Sequence, residues 1–260
     1  MVATAYTQTA MQTFMRRAQQ LVLTLLPPIC GLCRQGHSQP TAICQRCIDS
    51  LPQNRHPCGR CAEPSHYLAG HGHCYQCRLT PPLFVSVSAP FLMTGPMQQL
   101  IHQWKFEGQT TLSTMLAALL IKHLMGQDSP RKADHLTPRY IVPIPSHWRR
   151  RWHRGFDQTW LLANNLAQLC GIPVLRGLRR TRFATAQHQL SRRERAVNMH
   201  HAFTTKCQLL GGHIVLVDDV VTTGATATAA TQALLAAGAD SVEVWCLART
   251  PAPVRNQGSS

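Results

Sequence analysis

The stretch "IVLVDDVVTTGAT", residues 214–226, decides the fold. Ile214 to Val217 form a continuous apolar run, the pattern of a parallel strand covered on both faces. Asp218 and Asp219 stand at its carboxyl end, where open α/β sheets bind their ligands. The chain has only 11 acidic residues in 260, so two placed side by side call for a reason. The segment that follows turns into a helix, whose free backbone N–H groups and positive dipole end favour a phosphate. Gly224 lets the backbone approach an anion, and Thr222, Thr223 and Thr226 add hydroxyl donors. Carboxylates beside an anion cradle suit a sugar phosphate: the acids accept from ribose hydroxyls while the loop holds the 5′-phosphate. The competing reading makes Asp219 a helix cap, Asp218 a surface residue and the rest ordinary turn chemistry.

Working outward, the pattern alternates between strands and helices. "LFVSVSAPFLM" alternates like a strand pair, and residues 95–106 and 110–125 carry helical spacing. "RYIVPIP" (139–145) reads as a strand, "GFDQTWLLANNLAQLCG" as a helix stopped by Gly171, and "IPVL" as a strand. "HIVLVDD", the helix "TATAATQALLAAG" and the strand "SVEVWCLA" close the series. Such alternation predicts an α/β domain, a parallel sheet with helices on both faces. Residues 177–205, weakly periodic and rich in arginine, read as a long loop.

Eight of the 11 cysteines form four Cys-x-x-Cys pairs: Cys30/Cys33, Cys44/Cys47, Cys58/Cys61 and Cys74/Cys77. Each pair places two thiolates on one side of a tight turn, and two pairs close a tetrahedral Zn²⁺ site. Gly31, Gly36, Pro57 and Gly59 stand where the turns are expected. Disulfides are the competing explanation; the chain shows no secretory signal, and thiols stay reduced in the cytosol, where the protein is expected to reside. The economical arrangement is two successive ribbons with two structural zincs, and spacing alone leaves a cross-braced pairing open. His56, His66, His71 and His73 lie among the cysteines as spare ligands. Cys170, Cys207 and Cys246 read as small buried apolar residues. A segment this short has too little core to fold unaided, so zinc would supply its stability. The domains are then an N-terminal amphipathic helix (1–28), a double zinc ribbon (29–80), the α/β domain (81–250) and a tail (251–260).

The formal charge is +15, from 26 Lys and Arg against 11 Asp and Glu. Such a surface attracts nucleic acid or a phosphate-rich small molecule, or is simply solvated. No run of 18 apolar residues exists, so no membrane-spanning helix is expected.

Residues 214–226 resemble the phosphoribosyl pyrophosphate (PRPP) motif of the type I phosphoribosyltransferases. The succession of the Cys-x-x-Cys pairs, "HQWKFEG", "VPIPSHWRRRWHRGFDQ", "VDDVVTTGAT" and "VWCLART" is similar to the ComF/GntX family over nearly all of residues 20–250. That family joins a double zinc ribbon to a type I phosphoribosyltransferase-like domain and is linked to competence and the use of DNA as a nutrient. The resemblance implies that Asp218 and Asp219 contact the ribose hydroxyls as the catalytic acids. It implies that Thr222, Thr223, Gly224, Ala225 and Thr226 wrap the 5′-phosphate, with Mg²⁺ carried on the pyrophosphate. One departure is visible: the family's "RGFNQ" is "RGFDQ" here, so Asp157 lacks an amide donor, which puts in doubt any contact made through one.

In type I enzymes a loop after the strand "IVPIP" holds the pyrophosphate. Here it carries Arg149, Arg150, Arg151 and Arg154, among which Arg151 and Arg154 are the expected contacts through bidentate donation. Trp148 and Trp152 either pack or stack on bases of single-stranded DNA. The loop carrying Arg180, Arg182, Gln187, Arg192 and Arg195 corresponds to the hood over such sites, or is a solvated basic loop. Lys105 is either a pyrophosphate or substrate contact or a lone surface lysine. Two functions follow. The chain is a phosphoribosyltransferase with an unidentified acceptor, or a non-catalytic single-stranded-DNA-binding factor that keeps its sugar-phosphate site. Either one fits association with DNA-uptake machinery.

Overall fold

A computed structural model describes residues 28–39, 41–65, 72–106, 111–126, 137–146, 156–181 and 202–252. The expected N-terminal amphipathic helix and most of the C-terminal tail lie outside them. The chain forms two compact units, Met1–Leu51 and Pro52–Ser260. The second cysteine set thus belongs to the same unit as the sheet.

In the first unit the described helix is α1 (Gln45–Asp49). The second unit opens with α2 (Tyr75–Leu79), then β1 (Val87–Ser88), β2 (Phe91–Leu92), α3 (Gly95–Phe106), α4 (Thr111–Leu124) and β3 (Pro138–Pro143). It continues with α5 (Gln158–Cys170), β4 (Leu178–Arg180), β5 (Phe203–Thr205), β6 (His213–Val217) and β7 (Val220–Val221). It ends with α6 (Ala225–Ala236), β8 (Ser241–Trp245) and β9 (Ala248–Arg249).

The main sheet runs β1-β8-β6-β3, every pairing parallel. Strand β6 is buried along its whole length, as its unbroken apolar run requires. Ile214 and Leu216 join Val142, Val242 and Val244 in a core cluster with Ala227, Ala230 and Leu234 of α6. Side chains alternate between faces, so Val215 and Val217, also fully buried, point the other way. Helix α5 packs on β3 and β6, and α4 packs on α5.

Three neighbouring strands break at one level. Pairing aligns Ser88 with Trp245 and Trp245 with Val217, and then each strand is interrupted for two residues: 89–90, 218–219 and 246–247. All three resume in a second parallel sheet, β2-β9-β7. Backbone bonds carry across the break: Asp218 N–H donates to Trp245 (3.0 Å), Leu247 N–H to Asp219 (3.0 Å) and Cys246 N–H to Ser88 (3.0 Å). The two aspartates therefore occupy a bend held by the backbone of the neighbouring β8–β9 strand, as buried peptide groups require.

Several expectations need correction. "LFVSVSAPFLM" makes two short strands, β1 and β2, which pair with β8 and β9 in different sheets and not with each other. "IPVL" makes only a single bridge, Val174 to Ile141. The region 177–205 is not all loop. Its ends pair as the antiparallel ribbon β4–β5, because Leu178 and Phe203 bury their side chains against the α6 side of the sheet. Residues 182–201 lie outside the described part. Helix α5 stops where Gly171 takes the left-handed conformation at φ 73°, as its glycine implied.

Candidate functional site

At the bend, Asp218 accepts from the Asp219 N–H (2.9 Å), and Asp219 accepts from the Val220 N–H (2.6 Å). These bonds fix both carboxylates at the strand tip. Helix α6 follows at once, entered through Gly224 at φ 79°, a conformation that favours glycine. A Cβ at Gly224 would meet only the Phe84 ring at 3.7 Å, so backbone conformation and not space selects glycine here. Thr223 Oγ1 accepts from the Ala225 N–H (3.3 Å), tightening the turn. Thr222, Thr223 and Ala225 are exposed, and Thr226 is half-buried. The first turn of a helix leaves its N–H groups without intrahelical partners, so this open loop presents donors to solvent.

One cation pairs with the acids, and a second acts on them through its field. The Lys105 ammonium, from the end of α3, forms an ion pair with Asp219. The Lys105 carbonyl accepts from Gln158 Nε2 (3.3 Å), so α5 helps position α3. Burial, reinforced by the neighbouring Asp219 charge, pushes the Asp218 carboxyl up to about 8, while Lys105 and Arg180 pull it back toward the acid range. Arg180 stands at the end of β4, its guanidinium 5.3 Å from the Phe203 ring centroid. The sequence placed Arg180 in a basic loop, and the fold brings it into the field of the strand tip.

This raised carboxyl has a thermodynamic sign. A native state that holds its proton more tightly than the unfolded chain binds more protons between about pH 4 and 8, so stability falls as pH rises through that window. The melting temperature of the zinc-loaded protein is expected to drop more steeply from pH 6 to pH 9 than that of Asp218→Asn. Scanning calorimetry across pH checks this; parallel curves contradict it.

Asp157 caps α5. Its carboxylate accepts from Thr159 Oγ1 (2.8 Å), Ser146 Oγ (3.2 Å) and the Trp160 N–H (3.4 Å). Every one of these bonds needs an acceptor, so Asp serves without an amide donor. Arg149, Arg150, Arg151, Arg154, Trp148 and Trp152 lie outside the described residues, as do Arg182, Gln187, Arg192 and Arg195.

The cysteines gather into two sets, Cys30/Cys33/Cys44/Cys47 and Cys58/Cys61/Cys74/Cys77, with the sulfurs of each set within 4.8 Å of one another. The pairing is sequential, not cross-braced. Four sulfurs about 2.3 Å from a tetrahedral zinc lie roughly 3.8 Å apart. Cys33 and Cys44 stand at 3.9 Å, and Cys61 and Cys74 at 3.7 Å. Backbone N–H groups donate to the sulfurs: Cys44 to Cys30 (3.3 Å) and Cys74 to Cys58 (3.2 Å). The hydrogen bond from Cys61 draws the Cys58 thiol down to about 4, ahead of the opposing effect of burial. Thiolate donors in tetrahedral spacing fit structural zinc. Cys30, Cys33, Cys44 and Cys47 would hold one ion, and the second set the other. Among the described residues no histidine joins either set, although His66 and His71 lie outside the described part.

The first knuckles of the two ribbons repeat one another with a shift of 28 residues, and the second knuckles with a shift of 30. Arg34 N–H bonds to Cys30 and Ala62 N–H to Cys58, each at 2.9 Å, and both residues have positive φ (61° and 54°). The bridges Ile29–Gly36 and Pro57–Pro64 are equivalent too. The left-handed position of each knuckle thus falls on Arg34 and Ala62. Of the three isolated cysteines, only Cys246 is buried, Cys207 being exposed and Cys170 half-buried. Burial, helped by the nearby Asp218 charge, raises the Cys246 thiol.

Sequence reasoning missed Arg249. The residue is 6% exposed, within an otherwise apolar segment. Its Nε donates to the Cys61 carbonyl (3.1 Å), and its guanidinium pairs with Glu63 at 2.5 Å. It also donates to the carbonyls of Val221 (3.3 Å), Thr222 and Thr250. A charge inside an apolar strand must find such partners, and "VWCLART" carried that signal.

Comparison with known proteins matches residues 21–78 to the double zinc ribbon domain family and residues 160–257 to the phosphoribosyl transferase domain family. The DNA utilization protein YhgH of Salmonella typhi is 36% identical over 230 residues, covering 86% of this chain and 98% of that protein. Competence protein F of Haemophilus influenzae is 32% identical over 210 residues, covering 79% and 88%. Competence protein ComFC of Bacillus subtilis is 26% identical over 248 residues, covering 85% and 95%.

Proposed function

The chain belongs to the family of these DNA utilization and competence proteins, and from that premise we propose that its phosphoribosyltransferase-type domain binds Mg²⁺–PRPP and transfers the phosphoribosyl group. The observation that carries this reading is the strand tip. Two carboxylates stand at the bend between β6 and β7, and a glycine turn into a helix N-terminus follows within a few residues. Asp218 and Asp219 would accept hydrogen bonds from the ribose hydroxyls. The amides and hydroxyls of Thr222, Thr223, Gly224, Ala225 and Thr226 would hold the 5′-phosphate. Lys105, now on Asp219, would exchange that partner for substrate, and Arg151 and Arg154 would take the pyrophosphate.

In the reaction the bond from ribose C1 to pyrophosphate breaks, and the acceptor atom bonds to C1 and gives up its proton. Positive charge develops on the ribose as the pyrophosphate departs. Carboxylates fixed beside the ring stabilise the first, and cations stabilise the second. Neither aspartate needs to act as a nucleophile. Calorimetric titration with Mg²⁺–PRPP tests the proposal: saturable binding at one site per chain is expected, and no heat above that of inorganic phosphate would overturn it.

The charge of +15 and the names of the relatives favour a DNA-related role, with single-stranded DNA as a partner and association with uptake machinery. If the basic residues contact phosphates, affinity for a single-stranded oligonucleotide falls steeply as salt rises, with slope near −0.7 per phosphate neutralised. A salt-independent affinity in fluorescence anisotropy contradicts those contacts. Binding of DNA without binding of PRPP would leave the protein a non-catalytic DNA-binding factor.

A further inference from the structure

The second cysteine set and the phosphate loop meet through one side chain. Arg249 leaves β9 beneath the loop and spends its nitrogens in two directions. Toward the ribbon it binds the carbonyl of Cys61 and the carboxylate of Glu63. Toward the loop it binds the carbonyls of Val221 and Thr222. Glu63 is tied down further, since its other oxygen accepts from the Ala252 N–H (2.7 Å). The ribbon is fastened to the same sheet a second time. Asn54 N–H donates to Pro90 (2.8 Å), and the Asn54 amide donates to Ala62 (2.9 Å) and Ala89 (3.3 Å). Residues 52–54 thus line the edge of β2, and residues 61–63 meet Arg249 at β9.

The consequence follows from peptide geometry. In a trans peptide the C=O and the next N–H point in opposite directions. Among the described residues no peptide bond is cis. When Arg249 draws the carbonyls of Val221 and Thr222 toward itself, the N–H groups of Thr222 and Thr223 are aimed away from it. Thr222 and Thr223 are both exposed.

We infer that Arg249 is the positioning residue of the anion loop and that it makes the loop's shape depend on the zinc-binding knuckle around Cys58 and Cys61. This deepens the proposed function, on whose reading of the loop as a phosphate site it rests. Arg249 touches no substrate atom and acts through the backbone of Val221 and Thr222. Loss of metal from the second cysteine set frees the Cys61 carbonyl and Glu63 to move, and the loop's amides lose their common aim. The structural metal then governs sugar-phosphate affinity, although no ligand of that metal belongs to the sugar site.

The test uses the full-length zinc-loaded protein and the variants Glu63→Gln and Arg249→Lys. Glu63→Gln keeps size and removes the charge, and a lysine cannot span the acceptors on both sides. Amide hydrogen exchange and titration with ribose 5-phosphate are measured on each, with zinc content checked. Exchange at Val220 and Thr228, whose N–H groups are bonded at the two ends of the loop, is expected to quicken about tenfold or more in both variants, while residues 213–217 keep the wild-type rate. Affinity for ribose 5-phosphate is expected to weaken by about tenfold with zinc content unchanged. Depleting zinc from wild type with a graded chelator is expected to quicken exchange at Val220 and Thr228 before exchange in 213–217. Wild-type exchange at Val220 and Thr228 in both variants overturns the inference. So does an acceleration equal in 213–217, which would make Arg249 an ordinary packing residue. Should wild type fail to bind ribose 5-phosphate, the exchange result still decides the role of Arg249, and only the sugar-phosphate reading falls.

Discussion

At a pH above 8, where both carboxyls are ionised, replacing Asp218 and Asp219 together by asparagine is expected to lower affinity for Mg²⁺–PRPP by at least about 100-fold, because each hydrogen bond accepted by a charged group contributes about 1.5–3 kcal/mol. The backbone bonds that fix the bend run through the peptide groups of both residues and survive the change. An asparagine oxygen can still accept from the neighbouring N–H. The fold is therefore retained, and far-ultraviolet circular dichroism should be unaltered. Lys105 loses its carboxylate partner and becomes available to anions, so affinity for inorganic phosphate stays the same or rises. That opposite response separates the ribose contacts from the phosphate contacts. Calorimetry of both ligands on wild type and the double variant checks it. A parallel loss of phosphate and PRPP binding would mean that the variant had disturbed the loop.

The second large effect concerns the metal. Metal analysis is expected to find two zincs per chain, one for each cysteine set. Substituting Cys58 and Cys77 by serine should remove one of them. A structural zinc of this kind contributes about 10 kcal/mol or more to folding of its module. The second set stands within the same compact unit as the sheet, and its knuckle holds Arg249 through Cys61 and Glu63. The melting temperature of that unit is expected to fall by more than about 10 °C, since each kcal/mol moves a domain of this size by about 2–4 °C. Scanning calorimetry on zinc-loaded protein supplies the measurement. An unchanged transition with one zinc missing would show that the ribbon adds nothing to the sheet's stability.

What could be read from the sequence follows from how local each signal is. The run Ile214–Val217, the twin acids and the glycine turn lie within thirteen consecutive residues, and strand, bend and helix follow in that order. Four regular Cys-x-x-Cys pairs announced zinc for the same reason, and Gly171 announced the end of α5. Pairings set by distant partners were not legible. "LFVSVSAPFLM" holds strand propensity, yet β8 and β9, more than 150 residues later, decide that its halves enter different sheets. The order of zinc pairing depends on which sulfurs the fold gathers, and spacing left two answers. Arg180 read as one basic residue among many until the β4–β5 ribbon carried it within electrostatic reach of Asp218. Arg249 stood in plain view inside an apolar strand, but its partners, Cys61 and Glu63, come 188 and 186 residues earlier.

The most direct test is a crystal of the zinc-loaded protein soaked with ribose 5-phosphate at a pH above 8, where the Asp218 carboxyl is ionised. Density for the phosphate on the amides of residues 222–226, with the ribose hydroxyls within hydrogen-bond reach of Asp218 and Asp219, is the predicted result. A sugar bound elsewhere, or a vacant loop with Asp219 still paired to Lys105, would contradict the account.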